Sequence, residues 1–329
     1  EISLGLVGSE MCIRDSSWMI QGVLWISRQS YGMLTIGHVP FLWVLLFYFM
    51  TGLWIWKKNG QNRHIRISLA YVIMIILIWI PMARRKSLAF LDVGQGDCFV
   101  ADTKSGAIIF DGGSSSEDQV GRYRILPYMK YLGYQKIQIA VISHMDIDHY
   151  SGIKELLEMG KIKYLGLPEI PKDETMKKII GIAKKRGTTI FYLSRGRQIT
   201  TKDGSLKVLH PQKNSQMEKN AASLVMQGKI LGYRVLLTGD VEKEGEEELL
   251  SEELERADIL KAAHHGSKNS TSNEFLQKVQ PKQTVISCGK QNRYGHPHLE
   301  TIHRLQTYRT KIYRTDRSGA IIFFKRRDG

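Results

Sequence analysis

The distribution of apolar residues divides the chain into two parts that meet near residue 86. In the first part, residues 39–56 and 67–83 form two long runs without a charged side chain. A helix that crosses the hydrocarbon core of a membrane needs about 20 apolar residues, with roughly 17 as the lower limit. Both runs meet that limit and predict two membrane helices, although a buried helical hairpin of a soluble protein is the alternative.

The segments that flank these two apolar runs give less information about the fold. Residues 1–17 fit no pattern downstream and are predicted to be a non-native or disordered terminus. Residues 18–26 are a short apolar stretch that suits an interfacial helix. Residues 57–66 hold four Lys and Arg, against three directly after residue 83. The positive-inside rule therefore leaves the membrane orientation open.

From residue 87 onward the apolar runs are short, and glycine-rich turns separate them. Such runs predict strands, whereas longer stretches with helical spacing predict helices. Strands are predicted at 88–93, 97–102, 107–110, 137–142, 205–210, 222–228, 232–238, 257–263 and 320–324. Helices are predicted at 119–133, 153–159, 175–186, 242–255 and 298–307. This alternation is typical of a layered α/β domain over residues 87–329.

The charged residues of this second part bear on its possible partners. The chain has 47 Lys and Arg against 32 Asp and Glu, and the first 83 residues hold only six and three of these, which leaves 41 and 29. Such an excess favours a polyanionic partner, either nucleic acid or an anionic membrane surface. A basic solvated surface would give the same count. The three cysteines have no CxxC spacing and predict neither a zinc knuckle nor a disulfide framework.

Candidate chemistry concentrates in one motif, His144-Met145-Asp146-Ile147-Asp148-His149, which closely follows the predicted strand 137–142. A strand that ends in a tight loop would project alternate side chains into one place. Imidazole and carboxylate groups are suitable ligands for divalent metals. Four such groups so close together can serve two metal ions, whereas a charged turn with solvated histidines is the alternative.

Other residues of ligand type follow other predicted strands. Asp240 comes after the strand 232–238, His264 and His265 come after 257–263, and His296 follows the apolar run around 285–288. Because α/β folds gather their sites at the carboxyl ends of strands, we expect these residues to meet.

Together these motifs resemble the metallo-β-lactamase domain of ComEC-type competence proteins, the membrane channels that take up DNA during natural transformation. The resemblance covers about 88–325, and residues 18–86 resemble the end of the family's membrane domain. It therefore implies a C-terminal fragment with an αββα sandwich over 87–329, preceded by two transmembrane helices. The hydrolase domain would lie outside the cell membrane. The motifs that carry the resemblance are Leu91–Asp97 (LDVGQGD), Phe110–Gly113 (FDGG), His144–His149, Leu237–Asp240 (LTGD) and His264–Ser267 (HHGS).

The resemblance also implies roles for single residues. His144 and Asp146 would bind one metal ion, Asp148 and His149 would bind the other, and Asp240 would bridge the two. The full set of implied ligands is His144, Asp146, Asp148, His149, Asp240 and His265.

Four further residues would assist these ligands. His264 would contact the substrate phosphate or donate a proton, and it could exchange roles with His265. His296 is a second candidate for proton donation, so that Asp148, His264 and His296 form the expected catalytic set. Asp111 would support a ligating histidine from behind, and Asp97 would face the same cleft.

Two departures from the superfamily pattern concern the metal. Asp146 stands where most metallo-β-lactamases have a second histidine, and residues 220–223 supply none. Sites richer in oxygen shift metal preference from zinc towards manganese or magnesium. We therefore expect two divalent ions, either Mn²⁺ or Zn²⁺, with Mg²⁺ as an alternative.

The implied function is that of a metal-dependent phosphodiesterase or nuclease that degrades the DNA strand that is not imported. Its partners would be DNA, the membrane and other proteins of the competence machinery. One alternative is a cell-surface phosphodiesterase that acts on a phosphocholine or teichoic-acid ester. Another is a non-catalytic module that guides DNA.

Overall fold

The chain divides into two compact units, Glu1–Trp79 and Ile80–Gly329. The computed structural model describes residues 17–25, 35, 37–56, 65, 68–74, 85–217 and 220–326. In the first unit, helix α1 is Phe41–Trp56, and residues 17–25 and 68–74 are also helical.

The described residues include most of the first predicted membrane helix but only part of the second. Helix α1 matches most of the first predicted span, 39–56, whereas residues 75–83 of the second span lie outside the described residues. No helix in the described part of the chain is long and apolar enough to cross a membrane. The predicted N-terminal segment 1–17 lies outside the described residues except for residue 17.

The second unit contains two seven-stranded sheets. The first sheet has the order β14-β1-β2-β3-β4-β5-β6. Its strands are β1 Ser87–Phe90, β2 Phe99–Thr103, β3 Gly106–Phe110, β4 Ile137–Val141, β5 Ile162–Pro168, β6 Thr189–Leu193 and β14 Ile321–Phe324. The second sheet has the order β13-β12-β11-β10-β9-β8-β7. Its strands are β7 Gln198–Thr201, β8 Gly204–His210, β9 Val225–Ile230, β10 Tyr233–Leu237, β11 Ile259–Lys261, β12 Gln283–Ile286 and β13 Lys311–Arg314.

Helices cover the outer face of each sheet. A π-helical turn, Gly121–Ile125, leads into the first helix of this unit. The helices are α2 Leu126–Tyr131, α3 Ile147–Glu158, α4 Glu174–Lys185, α5 Lys243–Leu250, α6 Asn273–Val279, α7 Leu299–Thr307 and the single turn α8 Thr315–Ser318.

Alternation along the strands explains the layers. On β1, Leu88 and Phe90 face the core between the two sheets, whereas Ala89 packs into the core beneath the helices of the first sheet. Successive side chains of a strand point to opposite faces, so a strand that is buried on both faces must be apolar throughout. A third core lies under α5, α6 and α7 on the second sheet. The αββα sandwich expected from the sequence is thereby confirmed.

Parallel pairing determines where the motifs meet. Strands β3 to β6 pair in parallel, and so do strands β10 to β13. The carboxyl ends of parallel neighbours lie at the same edge of a sheet. The FDGG motif and residues 143–149 follow β3 and β4, and the LTGD and HHGS motifs follow β10 and β11.

The structure corrects several predicted boundaries. Helix α3 begins at Ile147 rather than at residue 153, so Asp148 and His149 lie in its first turn and not in a loop. The helix predicted at 242–255 ends at Leu250. The strand predicted at 257–263 is only Ile259–Lys261. The helix start was missed because Ile147 is exposed, so the apolar spacing of α3 becomes regular only after its ligand residues.

Candidate metal centre

The site is built on the loops after β3 and β4, which are joined by hydrogen bonds. The backbone N–H of Ser143, just after β4, donates to Asp111 Oδ1 at 2.7 Å. Asp111, just after β3, donates its own backbone N–H to Val141 O at 2.8 Å. Its φ of 57° places it in the left-handed region, which is costly for a residue other than glycine and marks a constrained position.

Two glycine-rich segments pack directly against the first turn of α3. Asp97 donates its backbone N–H to Asp148 O at 3.0 Å, and Gly113 donates to Asp97 O at 3.1 Å. A Cβ atom on Gly113 would lie 2.5 Å from Ile147 O, and one on Gly96 would lie 2.2 Å from Gly113 O. The glycines of these two motifs therefore allow a backbone approach that no other residue permits.

Four buried residues come together at this edge: Asp97, His149, Asp240 and His265. One ligand-type atom from each lies within 4.8 Å of the others. Asp240 Oδ2 is central, because it lies 3.1 Å from His149 Nε2, 3.3 Å from His265 Nε2 and 3.8 Å from His264 Nε2. Asp148 Oδ2 approaches the same place, 3.3 Å from His265 Nε2.

Asp97 approaches the histidines from the other side. Its carboxylate oxygens lie 3.8 Å from His149 Nδ1 and 3.6 Å from His265 Nδ1, on the ring edges that face away from Asp240 Oδ2. The two Nδ1 atoms already have closer partners, Asp111 Oδ2 at 3.0 Å and Ser287 O at 2.9 Å. The ligand-type atoms that converge are therefore the Nε2 atoms and the oxygens of Asp148 and Asp240, with Asp97 behind them.

His144 and Asp146 occupy an adjoining position. His144 is buried, its ring lies 4.1 Å from that of His149, and its Nδ1 lies 3.0 Å from Ser143 Oγ. Its Nε2 lies 3.7 Å from Asp146 Oδ2, on a side chain that is partly exposed. The structure thus places all six sequence-predicted ligands at one edge, with two of them beside the main cluster.

The histidines fit metal ions. The Nε2 atoms of His144, His149 and His265 are buried and make no hydrogen bond, although carboxylate oxygens lie nearby. A ring held at Nδ1 by a carboxylate or a carbonyl, with Nε2 turned into a site, is the usual arrangement of a metal-ligating histidine. The donors are imidazole nitrogens and carboxylate oxygens, which suit zinc, manganese or magnesium.

The charges of the site also fit a metal centre. Burial favours a lower pKa for His265, but the negative charges of Asp240 and Asp97 outweigh it and raise the pKa to about 10. Burial favours a higher pKa for Asp148, but its close contact with the imidazole of His265 and the charge of His149 lower the pKa to about 2. The pKa of His149 is also raised well above its usual value, because the charges of Asp240 and Asp111 outweigh its burial. The carboxylates thus create a site that strongly favours positive charge.

Sequence reasoning missed a buried cation in this site, Lys261. Its Nζ donates to Gly239 O at 2.9 Å, lies 3.4 Å from Asp240 Oδ1 and forms an ion pair with Asp97. Lys261 is only 3% exposed, so these carboxylates replace water around its charge. The signal in the sequence was one lysine within an otherwise apolar strand. Alternation along a strand would have placed such a residue at the surface.

The histidines on the outer side of the site differ in their surroundings. His264 Nδ1 lies 2.8 Å from Glu242 Oε1, a contact that the sequence did not suggest. His264 and His265 both have left-handed backbones, with φ of 47° and 53°. His296 has its ring 5.4 Å from that of His264. Burial, together with the positive charges of His265 and His264, lowers the pKa of His296 to about 4.

A cleft of about 240 Å³ opens over the site. Of the predicted residues, the cleft is lined by Asp146, Asp148, Asp240, His264, His265 and His296. His144, His149, Asp97 and Asp111 lie beneath this surface and are buried. The cleft therefore exposes one face of the carboxylate and imidazole cluster to a substrate.

The fold and this site identify the class of protein. Residues 91–290 match the family described as the Metallo-beta-lactamase superfamily, and the chain belongs to it. Members of this fold family bind divalent metals through such a cluster.

Among curated proteins the chain is similar to ComE operon protein 3 of Bacillus subtilis (strain 168), with 34% identity over 294 residues, which cover 83% of this chain and 38% of that protein. Competence protein ComA of Neisseria gonorrhoeae is 30% identical over 248 residues, which cover 72% and 32%. Recombination protein 2 of Haemophilus influenzae (strain ATCC 51907 / DSM 11121 / KW20 / Rd) is 27% identical over 268 residues, which cover 80% and 32%. These matches confirm the resemblance to ComEC-type competence proteins. The chain spans less than two fifths of the length of each relative.

Proposed function

We propose that the second unit is a divalent-metal phosphodiesterase that cleaves DNA, as part of a competence protein for DNA uptake. The observation that carries this proposal is the convergence of His149 Nε2 and His265 Nε2 on Asp240 Oδ2 beneath an open cleft, with Asp148 Oδ2 beside His265 Nε2. Such an arrangement is costly for folding, since it buries several ionisable groups together, and it is the kind that functional sites retain.

The residues divide naturally between two ions. His149, Asp148 and His265 would hold one, His144 and Asp146 would hold the other, and Asp240 would contact both. Bound in this way, the metals supply Lewis-acid activation of water and stabilise negative charge on a phosphodiester. Asp111 holds His149 in the required orientation, and the carbonyl oxygen of Ser287 does the same for His265.

His264 is the best-placed proton donor for the leaving sugar oxygen. Its ring lines the cleft, its Nδ1 lies 2.8 Å from Glu242 Oε1, and its Nε2 lies on the side of the site, 3.8 Å from Asp240 Oδ2. His296 lies beside it, but its lowered pKa keeps it uncharged near neutral pH. We therefore assign proton donation to His264 and hydrogen bonding to His296.

The expected metal preference follows from the high proportion of oxygen among the ligand atoms. Asp146 supplies a carboxylate where a histidine is common in the superfamily, so Mn²⁺ is expected to support activity at least as well as Zn²⁺, with Mg²⁺ as a weaker substitute. A metal-stripped chain that regains activity with zinc alone would contradict this preference.

The proposed substrate is DNA. The excess of basic over acidic residues after residue 83 favours a polyanion, and competence is named in one of the relatives, ComA of Neisseria gonorrhoeae. Binding should be largely independent of sequence and should weaken steeply as salt rises. In a DNA-uptake protein, such an activity would degrade the strand that is not imported.

The test uses the purified full chain with fluorescent single- and double-stranded DNA in Mn²⁺, Mg²⁺ or Zn²⁺. The proposal predicts metal-dependent cleavage that is lost in the Asp148→Ala, His149→Ala double variant. The matched control is Glu300→Ala with His303→Ala, an exposed acid and an exposed histidine on α7.

Two other results would replace the nuclease proposal. Salt-sensitive binding without cleavage in any metal would indicate a module that guides DNA. Hydrolysis of a chromogenic phosphodiester without cleavage of DNA would indicate an esterase of the phosphocholine or teichoic-acid type.

Membrane attachment stays a proposal for residues 39–56 and 67–83. Helix α1 has strongly exposed apolar side chains, among them Phe41 at 73% and Leu42 at 75%, which require an apolar environment of some kind. The first span would run inwards and the second outwards, so that the hydrolase domain lies outside the cytoplasm. Protease added to intact cells should then digest the domain, and complete protection would contradict this topology.

A further inference from the structure

One loop at the rim of the cleft has a fixed shape. Residues 289–296 connect the end of β12 to the site. Asn292 closes this loop, because its Nδ2 donates to Gly289 O at 2.9 Å and to His296 O at 2.6 Å. Its Oδ1 accepts the backbone N–H of His296 at 2.9 Å, and Gly289 N–H donates to Gln95 Oε1 at 3.0 Å. The three residues between Asn292 and His296 are therefore presented in a defined position.

The ring of Tyr294 stands at this position. It is 42% exposed and lines the cleft together with Asp148 and His265. It stacks on His296, with ring centroids 5.7 Å apart and an interplanar angle of 21°. Arg293 Nη2 donates to the Tyr294 hydroxyl at 2.7 Å, and its guanidinium carbon lies over the ring, 4.9 Å from the centroid. A partly exposed aromatic ring supported from one side and flanked by a cation is thus held beside the cluster.

A second apolar side chain lines the same cleft. Ile147, at the start of α3, is 54% exposed, whereas most of the other lining groups are carboxylates and imidazoles. Ile147 comes from the first sheet's side of the domain, and Tyr294 comes from the second sheet's side. Hydrolysis of a phosphodiester needs no apolar surface, so these two exposed side chains call for another explanation.

The size of the cleft argues against a pocket that encloses a whole small-molecule ligand. At about 240 Å³, the cleft is smaller than the roughly 300–1,000 Å³ of sites that enclose a drug-sized ligand. A base inside a duplex already stacks on its neighbours, whereas an unpaired base offers a free π-face to an aromatic side chain. Aromatic rings beside cations are the usual means by which proteins hold single strands without regard to sequence.

We propose that Tyr294, assisted by Ile147, is a stacking platform for the nucleobase next to the phosphate that lies over the cluster, so that the site takes single-stranded DNA. Arg293 and Lys290 are exposed residues of the same loop and would contact the phosphates of the same strand. This inference rests on the proposed phosphodiesterase function and adds the substrate class to it.

The experiment compares two oligonucleotides of equal length, one of thymidine and one of abasic tetrahydrofuran residues. The full chain in Mn²⁺ is expected to cleave the thymidine strand with a kcat/KM about 10–100-fold higher, the range that stacking of one base supplies. Tyr294→Ala should reduce cleavage of the thymidine strand to near the abasic level, with a much smaller effect on the abasic strand. Tyr294→Phe should retain most of the difference, because the ring remains.

The control is Tyr123→Ala, which removes another exposed tyrosine flanked by arginines, on the π-helical turn. It should leave both substrates unaffected. Equal losses on both substrates in Tyr294→Ala would overturn the platform, because they indicate a role in folding or in phosphate contact. A blunt duplex cleaved as well as the single strand would overturn the preference for single strands.

A binding measurement separates this inference from the proposed function. Fluorescence anisotropy of the same two strands needs no cleavage, so it applies even if wild type hydrolyses neither. Weaker binding of the thymidine strand alone in Tyr294→Ala would support the platform, although the nuclease proposal would have failed. Unchanged binding of both strands would overturn the platform.

Discussion

The imidazole Nδ1 of His149 lies 3.0 Å from Asp111 Oδ2, and both side chains are fully buried. The other oxygen of Asp111 accepts the backbone N–H of Ser143 at 2.7 Å. One carboxylate therefore fixes both the end of β4 and the orientation of a ligand-type histidine. Neighbouring parallel strands bring these three residues together from two separate motifs.

Replacing this carboxylate should weaken metal binding without removing a ligand. In Asp111→Asn, the negative charge is lost and His149 is no longer held with Nε2 towards Asp240. Loss of such a partner typically costs about 10–100-fold in metal affinity. Equilibrium dialysis with Mn²⁺ measures this change.

The control for that substitution is Asp173→Asn, at the N-cap of α4, where Asp173 accepts the N–H of Met176 at 2.7 Å. Asparagine is an equally good N-cap, so metal affinity should stay at the wild-type value. An affinity of Asp111→Asn equal to that of the control would show that Asp111 does not position the ligand.

The buried cation Lys261 leads to a prediction about stability. Lys261→Met removes the partner of Asp97 and Asp240 and leaves their charges uncompensated in a buried site. Breaking a buried pair in this way costs about 3–5 kcal/mol of the free energy of unfolding. The loss should be largest with a chelator present and smaller in saturating Mn²⁺, because bound metal supplies positive charge to the same carboxylates.

Urea unfolding in the two conditions measures this difference. Lys282→Met is the control, since Lys282 Nζ lies 2.9 Å from Asp258 Oδ1 on a side chain that is 62% exposed. Only the lysine of this pair is exposed, but Asp258 keeps Arg234 and Arg326 within 3.7 Å, so the loss should be about 1 kcal/mol or less. Equal losses with and without metal would contradict a role for Lys261 as a counter-charge within the metal site.

The close backbone approach at Gly113 predicts that alanine is not tolerated there. A Cβ atom would meet Ile147 O at 2.5 Å and the backbone of Asp148 and His149 at 2.6 Å, so the first turn of α3 must shift. Overpacking of this kind costs about 1–3 kcal/mol. Metal affinity should fall as well, because two ligand-type residues move with the turn.

Gly181→Ala, on the exposed face of α4 with no atom within 4 Å of a Cβ, should instead stabilise the chain by about 0.5–1 kcal/mol. Thermal unfolding and Mn²⁺ binding of the two variants provide the comparison. Wild-type stability and affinity in Gly113→Ala would contradict the steric explanation of the FDGG motif.

A buried histidine away from the cluster predicts a pH dependence. His210 Nε2 lies 2.7 Å from Ala221 O, and burial lowers the pKa of its imidazole. The unfolded chain therefore takes up a proton at a higher pH than the folded chain does. As pH falls through the ordinary histidine range, wild type should lose up to about 1.4 kcal/mol of stability per pH unit from this group.

The measurement compares urea unfolding of wild type and His210→Gln at several pH values between about 7.5 and 5.5. Glutamine keeps a donor for Ala221 O but does not titrate, so wild type should be the more stable at the upper end and the two should converge at the lower end. Parallel stability profiles would show that His210 contributes nothing to the pH dependence.

Local sequence pattern predicted a layered α/β domain and placed the ligand-type residues at strand ends, whereas the αββα sandwich was implied by the family resemblance. His144, Asp148, Asp240 and His265 each come just after an apolar strand, and parallel pairing brings such positions to one edge of the sandwich. Their chemistry is also distinctive, because carboxylates and imidazoles seldom follow several strands of one domain without a shared purpose.

Residues whose roles depend on distant partners could not be found in this way. Lys261 is buried only because Asp97, more than 160 positions earlier, pairs with its charge. Glu242 meets His264 across two loops, and Tyr294 reaches the cleft only through the ties that Asn292 makes. The start of α3 was also misplaced, since Ile147 is exposed and the apolar spacing becomes regular only after the first turn.

The central claim is that the Asp240 cluster binds divalent metal and that this metal is required for DNA cleavage. The most direct test adds Mn²⁺ stepwise to the metal-stripped full chain and measures bound metal and the rate of DNA cleavage on the same samples. Cleavage should rise in step with occupancy, and Asp240→Asn should bind metal more weakly and cleave more slowly at every step. Cleavage at the full rate without bound metal, or full occupancy without cleavage, would contradict this claim.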